Sequence, residues 1–355
     1  MKIIRKVFDG LQPLFEDGGR LKTFKAVYEA LDNFFFAPSA RTPNAPHLRD
    51  PLDLKRYMSM VIVGLAPALL AALYLNGPRL LAMIIVSYMA GGAVEVAFAA
   101  IRKKEIHEGF LVTGLIFPMV LPGALPLWMV AVGVAFGVFV GKELFGGVGR
   151  NVFNPAIVAR CFLALAYPRA MSGGYVAPGG PGRLLEWVGL DAVSGATPLG
   201  LAKQGTWMDV PLLDMFLGRI AGSAAETSTL AILIGGGFLL MTRVANWRTV
   251  AAVLGSATVM ALMFCDSLTE VIWQLCAGGL MFGAFFMATD PVTSAATNLG
   301  KVIYGVIIGV VVMLIRNFTG YVEGVMFAIL LGNIAAPVID EILYKVRFRR
   351  LQIEG

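Results

Sequence analysis

Apolar runs of 12 to 22 residues alternate with short polar or glycine-rich segments from residue 58 onwards. A helix needs about 20 residues to cross the hydrocarbon core of a bilayer, so the longer runs have the length of transmembrane helices. The pattern therefore predicts an all-α, polytopic integral membrane protein with about ten transmembrane helices. The ten runs are 58–75, 80–101, 110–121, 126–145, 155–167, 230–241, 249–264, 268–287, 302–315 and 321–339. Runs such as 110–121 and 155–167 are short enough to be re-entrant half-helices.

Two polar regions interrupt this pattern and set the predicted domain boundaries. Residues 1–56 carry apolar side chains at helical spacing among charges, which predicts amphipathic helices on the cytoplasmic face, although a solvated tail is the alternative. Residues 168–222, rich in Gly and Pro, are predicted to form an outward-facing loop. The segments 57–167 and 223–340 are then membrane halves of five helices each, and 341–355 is a basic cytoplasmic tail. An odd number of helices per half predicts inverted repeats.

The distribution of basic residues supports this topology. Of the 29 Lys and Arg residues, 22 fall in segments on the same side as the N-terminus, six fall on the opposite side, and Arg160 lies inside an apolar run. Because Lys and Arg concentrate in cytoplasmic segments, both termini are predicted to be cytoplasmic. The net charge of +6 follows from this asymmetry and does not indicate nucleic-acid binding.

Composition and spacing exclude several classes of protein. With 57% hydrophobic residues and a mean hydropathy of +0.76, the chain does not have the composition of a soluble domain. Its three cysteines form no CxxC pair and have no histidine nearby, so they do not have the spacing of a metal or iron–sulfur site. The sequence has no glycine-rich dinucleotide-binding motif directly after a predicted strand, and the glycine cluster GGVGR is only a weak indication of such a motif. We therefore do not expect this chain to oxidise NADH.

One stretch breaks the apolar pattern with small and hydroxylated residues: DAVSGATPLG, residues 191–200. Pro198 disfavours the α conformation for Thr197, while Gly195 and Ala196 remove side-chain bulk beside it. The Thr197 hydroxyl is thus predicted to be presented on an extended segment. A simple turn or cap made by Ser194 and Thr197 is the structural alternative, and by the residues alone it is the commoner one.

The same stretch carries D-x-x-S-G-A-T, which is similar to the motif at which a flavin transferase esterifies flavin mononucleotide (FMN) to a threonine hydroxyl through its phosphate. HLRDPLDLKRYM, EGFLVTGLIFPMVLPGALPLW, GKELFGGVGRNVFNPA, ETSTLAILIG and FMATDPVTSAATNLGK match further blocks in the expected order. By these motifs the chain resembles the family that contains the B subunits of the sodium-translocating NADH:quinone oxidoreductases (Nqr) and the D subunits of the Rnf electron-transport complexes. Ala225 stands where that family usually has glycine, and a proline after the motif threonine is more typical of the Rnf branch.

The resemblance implies two flavin sites. The first is a covalent FMN on Thr197, next to Ser194, Gly195 and Ala196, with a wall that contains Ser223, Glu226 and Ser228. The second is a noncovalent riboflavin, and the possible flavin contacts within the membrane domain are Arg150, Asn151, Asn154, Asp290 and Thr293. Helix capping and a basic loop before a helix explain the same residues without any ligand.

The resemblance also implies a quinone region and a sodium path. Gly91, Gly92 and Glu95 match the region where quinones act, because glycines let a flat ring approach the backbone. The acids that match positions linked to sodium uptake or transit are Glu29, Glu95, Glu226, Asp290 and Asp340. Close packing of small residues and ordinary ion pairs are the structural alternatives.

The function implied by the resemblance is that of a redox subunit in the bacterial inner membrane, carrying electrons from covalent FMN through riboflavin to quinone. The surrounding multisubunit complex would oxidise NADH on partner subunits and export sodium. The partners implied are a second covalent-flavin subunit, quinone, the sodium ion and the flavin transferase that matures Thr197. The alternatives are an Rnf D subunit, which couples ferredoxin and NAD chemistry, and a non-redox secondary transporter, channel or scaffold, which leaves the DAVSGATPLG stretch unexplained.

Overall fold

The computed structural model of the chain describes residues 54–102, 109–176, 195–205, 210–226 and 228–354, together with Gly10 and Trp187. The predicted amphipathic helices near the N-terminus, and with them Glu29 and Ser194, lie outside the described residues. In chain order the helices are α1 (Leu54–Asn76), α2 (Arg79–Arg102), α3 (Gly109–Met119), α4 (Leu127–Gly141), α5 (Pro155–Ala166), α6 (Pro168–Gly173), α7 (Pro198–Lys203), α8 (Leu212–Leu217), α9 (Thr229–Met241), α10 (Trp247–Phe264), α11 (Leu268–Cys276), α12 (Leu280–Met287), α13 (Asn298–Phe318) and α14 (Val325–Glu354).

The helices confirm a polytopic, all-helical membrane protein. Within the described ranges, six are long and apolar enough to cross a bilayer, and α11 with α12 forms a bent pair that makes a seventh candidate. Three further apolar helices, α3, α5 and α9, have only 11, 12 and 13 residues. At 1.5 Å per residue each is about 16–20 Å long, shorter than the roughly 30 Å hydrocarbon core. Each predicted run therefore forms a helix or a helix pair, but the count of ten spans is not confirmed.

Local sequence explains where several of these helices begin. The Asn154 side chain accepts a hydrogen bond from the Ala156 N–H at 3.0 Å, and Pro155 occupies the first turn of α5. In the same way Asn246 caps α10, and Thr297 caps α13. The predicted loop 168–222 is not wholly irregular, because its described parts contain the short helices α6, α7 and α8.

The two halves of the chain pack in a similar pattern. In the first half α2 packs on α4 and α4 on α5, while in the second half α10 packs on α13 and α13 on α14. Small residues make these contacts close. A Cβ on Gly137 would lie 2.5 Å from the Pro155 carbonyl oxygen, and one on Gly305 would lie 2.9 Å from the Thr249 carbonyl oxygen. The shared pattern agrees with inverted repeats, which stay a prediction.

The apolar run 268–287, predicted as one span, is broken. Its two helices, α11 and α12, meet at a bend of 65°. Gly278 in the break has φ +63°, in the left-handed region that favours glycine. The next residue is equally constrained, because a Cβ on Gly279 would lie 2.6 Å from the Glu323 Oε1. Most of α12, Gly283–Met287, is a π-helical turn, a feature that is frequent at functional sites.

Candidate functional site

Thr197 lies at the start of α7 in the extended conformation that Pro198 predicts, with φ −71° and ψ 153°. The Gly195 N–H donates to the Tyr175 carbonyl oxygen at 2.8 Å, which ties the motif to the chain that follows α6. The half-buried Thr197 side chain accepts a hydrogen bond from the Gly200 N–H at 3.1 Å. The predicted capping alternative is therefore correct for this threonine, and any role in cofactor attachment has to be compatible with the cap.

Thr197 also lines a cavity with a volume of about 420 Å³. We call it the Thr197 cavity. Its wall includes the motif residues Gly195 and Ala196 together with Ser223 and Glu226. Ligand sites for drug-sized molecules usually fall between about 300 and 1,000 Å³. The space is thus large enough for a flavin ring system attached at Thr197.

The polar part of the Thr197 cavity is an ion-pair cluster centred on Arg160. The Arg160 Nη1 lies 2.7 Å from the Glu226 Oε1, and its Nη2 lies 2.6 Å from the Glu323 Oε2. The same Nη2 donates to the Ser223 Oγ at 3.1 Å. Because the guanidinium and the Glu226 carboxylate are each only 4% exposed, the cluster satisfies charges that burial would otherwise make very costly.

Backbone hydrogen bonds fix the segment that brings Glu226 and Ser223 to the wall of the Thr197 cavity. The Ala224 N–H donates to the Leu121 carbonyl oxygen at 2.9 Å, and the Ala225 N–H donates to the carbonyl oxygen of Met119 at 2.8 Å. The segment before α9 is thereby fixed to the end of α3. Ser228 caps α9 by accepting from the Ala231 N–H at 3.3 Å and does not line the Thr197 cavity.

Tyr175 adds a phenol to the wall of the Thr197 cavity. Like any tyrosine, Tyr175 is protonated at neutral pH and can donate a hydrogen bond, and burial raises the pKa of its hydroxyl further, to about 12. The predicted site residues did not include Tyr175, Arg160 or Glu323. The sequence did contain one signal for this cluster: Arg160 is a charged residue inside an apolar run, and such a residue needs a buried partner of opposite charge.

A second, smaller cavity of about 70 Å³ contains part of the predicted riboflavin site. Asn154 and Asp290 both line it, and the Thr293 hydroxyl donates to the Asp290 carboxylate at 2.9 Å. We call it the Asp290 cavity. Its volume is far below that of pockets for drug-sized ligands, so riboflavin does not fit these residues in this conformation.

The other predicted flavin contacts do not line the Asp290 cavity. Arg150 is exposed in the loop before α5, and Asn151 donates to the Phe153 carbonyl oxygen at 3.0 Å within the same loop. A buried hydrogen bond of 3.0 Å between Tyr304 and Asn333 lies close to the predicted riboflavin contacts. The Asn333 side chain is within hydrogen-bond distance of the backbone of both Asn154 and Thr293. Asn333 is fully buried. This pair was not predicted, because a single polar residue in an apolar run does not indicate which distant residue it bonds to.

The predicted quinone region is closely packed. A Cβ on Gly91 would lie 2.7 Å from the Phe110 ring, whereas one on Gly92 would be at an ordinary 3.4 Å. Glu95 is buried, and its Oε1 lies 2.6 Å from the Lys142 Nζ. None of the three predicted residues lines the Thr197 cavity or the Asp290 cavity. These contacts favour the packing and ion-pair alternatives for Gly91 and Glu95.

The acids proposed for a sodium path are separated and already engaged. Asp340 accepts from the Ala296 N–H at 2.6 Å and from the Thr297 N–H at 3.0 Å, so it holds the start of α13. Glu95, Glu226 and Asp290 have the partners given above. Among the described residues no group of three or more His, Cys, Asp or Glu side chains is arranged to hold a metal ion. The structure thus brings Glu226 to the Thr197 cavity and Asp290 to the Asp290 cavity without joining them in one cation site.

Comparison with known proteins identifies the family. The model of the NQR2, RnfD, RnfE family matches residues 41–349. The chain belongs to this family. A relative from Azotobacter vinelandii, named as the B subunit of a Na(+)-translocating NADH-quinone reductase, is 39% identical over 406 residues, which cover 98% of each chain. A relative of the same name from Chromohalobacter salexigens is 37% identical over 98% of this chain and 95% of its own length. The resemblance predicted from the motifs is therefore confirmed over nearly the full length.

Proposed function

We propose that this chain is the B subunit of a sodium-translocating NADH:quinone reductase complex, in which it holds a covalent FMN on Thr197 and passes electrons towards quinone. One observation carries the proposal: the threonine of the D-x-x-S-G-A-T motif lines a cavity of about 420 Å³ with a polar, ion-paired wall. The names and the near-complete coverage of the relatives support the choice of complex. NADH oxidation would take place on partner subunits.

The residues of the Thr197 cavity suit this role individually. The Thr197 hydroxyl supplies the oxygen of the phosphoester, and Gly195 and Ala196 leave space for the ribityl chain. Tyr175 and Arg160 supply donors, and Glu226 supplies acceptors, for the polar edge of the ring. When bound, FMN supplies reversible one- and two-electron chemistry that these side chains do not have. The covalent link keeps the cofactor in a cavity that opens to solvent.

The remaining parts of the predicted electron path are the riboflavin and the quinone. Riboflavin does not fit the Asp290 cavity, so we assign it no site among the described residues and derive no step through it. For quinone, Gly91, Gly92 and Glu95 are the candidates by resemblance. The positive-inside distribution supports cytoplasmic termini in a bacterial inner membrane, with the Thr197 cavity on the opposite side.

The test compares wild-type protein, Thr197→Ala and Thr197→Asn, each produced with the flavin transferase, by peptide mass spectrometry and by flavin fluorescence in denaturing gels. Asparagine caps helices as well as threonine does but has no hydroxyl, so Thr197→Asn separates attachment from capping. We expect FMN on the Thr197 peptide of the wild type alone. Flavin still attached to either variant, or found on a different peptide, would contradict the assignment.

The same material separates the alternatives. A wild-type chain without flavin under these conditions would point to a transporter or channel. If flavin is present, a titration of the reduced protein with ubiquinone distinguishes the two redox branches. Reoxidation of the flavin by quinone would support the Nqr assignment, and no response would support an Rnf D subunit.

A further inference from the structure

Opposite charges occupy the two helix ends at the break in the α11–α12 span. The Arg316 guanidinium donates to the Gln274 carbonyl oxygen at 2.6 Å and to that of Ala277 at 2.7 Å, at the C-terminal end of α11. The Glu323 carboxylate accepts from the Gly279 N–H, just before α12 begins. A cation at a helix C-terminus and an anion at a helix N-terminus both compensate the helix dipoles. Glu323 is therefore the residue that satisfies the start of α12.

Glu323 has a second partner in the wall of the Thr197 cavity. Its Oε1 binds the Gly279 N–H, while its Oε2 lies 2.6 Å from Arg160. Arg160 and Glu226 are each 4% exposed, whereas the Glu323 side chain is 16% exposed and lines the same cavity. Of the three charged groups, Glu323 is the one with most access to a ligand in the cavity and the one bonded to the break.

The segment that carries Thr197 also touches the break. A Cβ on Gly278 would lie 2.6 Å from the Leu199 side chain, so α7 packs directly against this turn. At the other end of α7, the Lys203 Nζ donates to the Thr319 carbonyl oxygen at 2.5 Å and to the Tyr321 carbonyl oxygen at 2.6 Å. These contacts join α7, which begins directly after Thr197, to the loop that contains Glu323.

The far end of α12 reaches the second cavity. Phe286 from this helix lines the Asp290 cavity together with Thr289 and Asp290. A helix of eight residues, about 12 Å long, thus separates the break beside the Thr197 cavity from the Asp290 cavity. The start of α12 is thus one short helix away from the Asp290 cavity.

We propose that Glu323 is a positioning residue that couples the Thr197 cavity to the helix break, so that a ligand in the cavity changes the hydrogen bond at Gly279. The identity of that ligand, FMN on Thr197, rests on the proposed function. A ring in the cavity excludes water from the Glu323 carboxylate, and a charge-assisted hydrogen bond becomes stronger when water is excluded. The bond to the Gly279 N–H is therefore firmer in the loaded protein.

Hydrogen–deuterium exchange of the peptide that contains Gly279 tests the coupling in the full-length protein in nanodiscs. The matched set is wild type, Thr197→Asn, Glu323→Gln and the double variant, with Glu341→Gln as a control in an exposed ion pair. In the wild type we expect exchange to be at least about 3-fold slower with FMN attached than in Thr197→Asn. In Glu323→Gln we expect about 10-fold faster exchange, because a neutral amide is a weaker acceptor, and no dependence on FMN.

Two results would overturn the proposal. One is a Glu323→Gln exchange rate equal to that of the wild type, and the other is an FMN effect that persists in Glu323→Gln. Glu323→Asp, which keeps the charge, is expected to retain part of the FMN effect and shows whether any change in Glu323→Gln is merely poor folding. Mass spectrometry of the same samples reports the proposed function separately. If Thr197 carries no FMN, that function fails, and the role of Glu323 is decided by the comparison of Glu323→Gln with wild type alone.

Discussion

Replacing Arg160 with methionine is the most direct test of the buried charge cluster. The substitution keeps an unbranched apolar stem but removes the guanidinium that lies 2.7 Å from Glu226 and 2.6 Å from Glu323. Removing one partner of a buried ion pair usually costs about 3–5 kcal/mol, because it leaves an uncompensated buried charge. Glu323 is 16% exposed and recovers some hydration, so we expect a loss near the lower limit, about 3 kcal/mol.

Thermal unfolding of the purified protein, followed by intrinsic fluorescence, measures this loss. For a domain of this size, about 3 kcal/mol corresponds to a decrease in melting temperature of roughly 5 °C. The sign of the pH dependence is also fixed. Burial raises the pKa of the Glu226 carboxyl above its usual range. Protonation of Glu226 at low pH removes the charge that Arg160→Met leaves behind, so the variant should lose more stability at pH 8 than at pH 5. Arg160→Lys, which keeps the charge but not the bidentate geometry, should lie in between.

Arg169→Met is the matched control, since Arg169 is exposed on the neighbouring helix α6. We expect its stability to stay within about 0.5 kcal/mol of the wild type. The reasoning would be refuted if Arg160→Met unfolded at the wild-type temperature at pH 8. It would also be refuted by an equal loss at both pH values, because an effect independent of protonation would come from packing and not from the buried carboxylates.

Two other substitutions test the first half of the protein by the same thermal assay. Lys142→Met should lower the free energy of unfolding by about 3 kcal/mol, because Glu95 is then buried without its partner at 2.6 Å. Lys345→Met, in an exposed ion pair, should have almost no effect. Equal effects of the two substitutions would show that the Glu95 pair is not buried as described. Gly137→Ala should cost about 1–3 kcal/mol, since its Cβ would lie 2.5 Å from α5, whereas Gly255→Ala has open space and should be neutral or slightly stabilising. A neutral Gly137→Ala would mean that α4 and α5 separate at little cost.

The sequence predicts the helices of this protein well because every apolar run has the same physical origin, which is burial in lipid. Burial in lipid requires continuous helical hydrogen bonding, so hydropathy alone locates the runs. It cannot tell whether a run of 12 residues crosses the membrane or stops inside it, because that depends on the neighbouring helices. The break near Gly278 was missed for a related reason. Glycines are common in transmembrane helices, and only the folded structure, with the positive φ of Gly278 and the 65° bend, shows that the helix ends here.

The candidate site was predicted unevenly for physical reasons. A contiguous motif such as D-x-x-S-G-A-T identifies Thr197 by itself, and a proline fixes its backbone. The ion-pair cluster joins Arg160 with Glu226 and Glu323, which are 66 and 163 residues away in the chain, so no local pattern reports it. Gly91 shows how packing stays hidden in the sequence. Resemblance predicts a quinone region there, which stays a prediction, and the structure places the Phe110 ring beside this glycine.

The two roles of Thr197, helix cap and flavin attachment point, are compatible in chemical terms. The cap uses the Thr197 oxygen as an acceptor for the Gly200 N–H at 3.1 Å and does not use the hydroxyl proton. Esterification replaces that proton and leaves lone-pair density on the same oxygen, so the hydrogen bond can persist after attachment. A threonine that caps a helix is also held in one position, so the ester would extend into the cavity that Thr197 lines. The commoner structural role of this residue thus prepares the functional one that we propose.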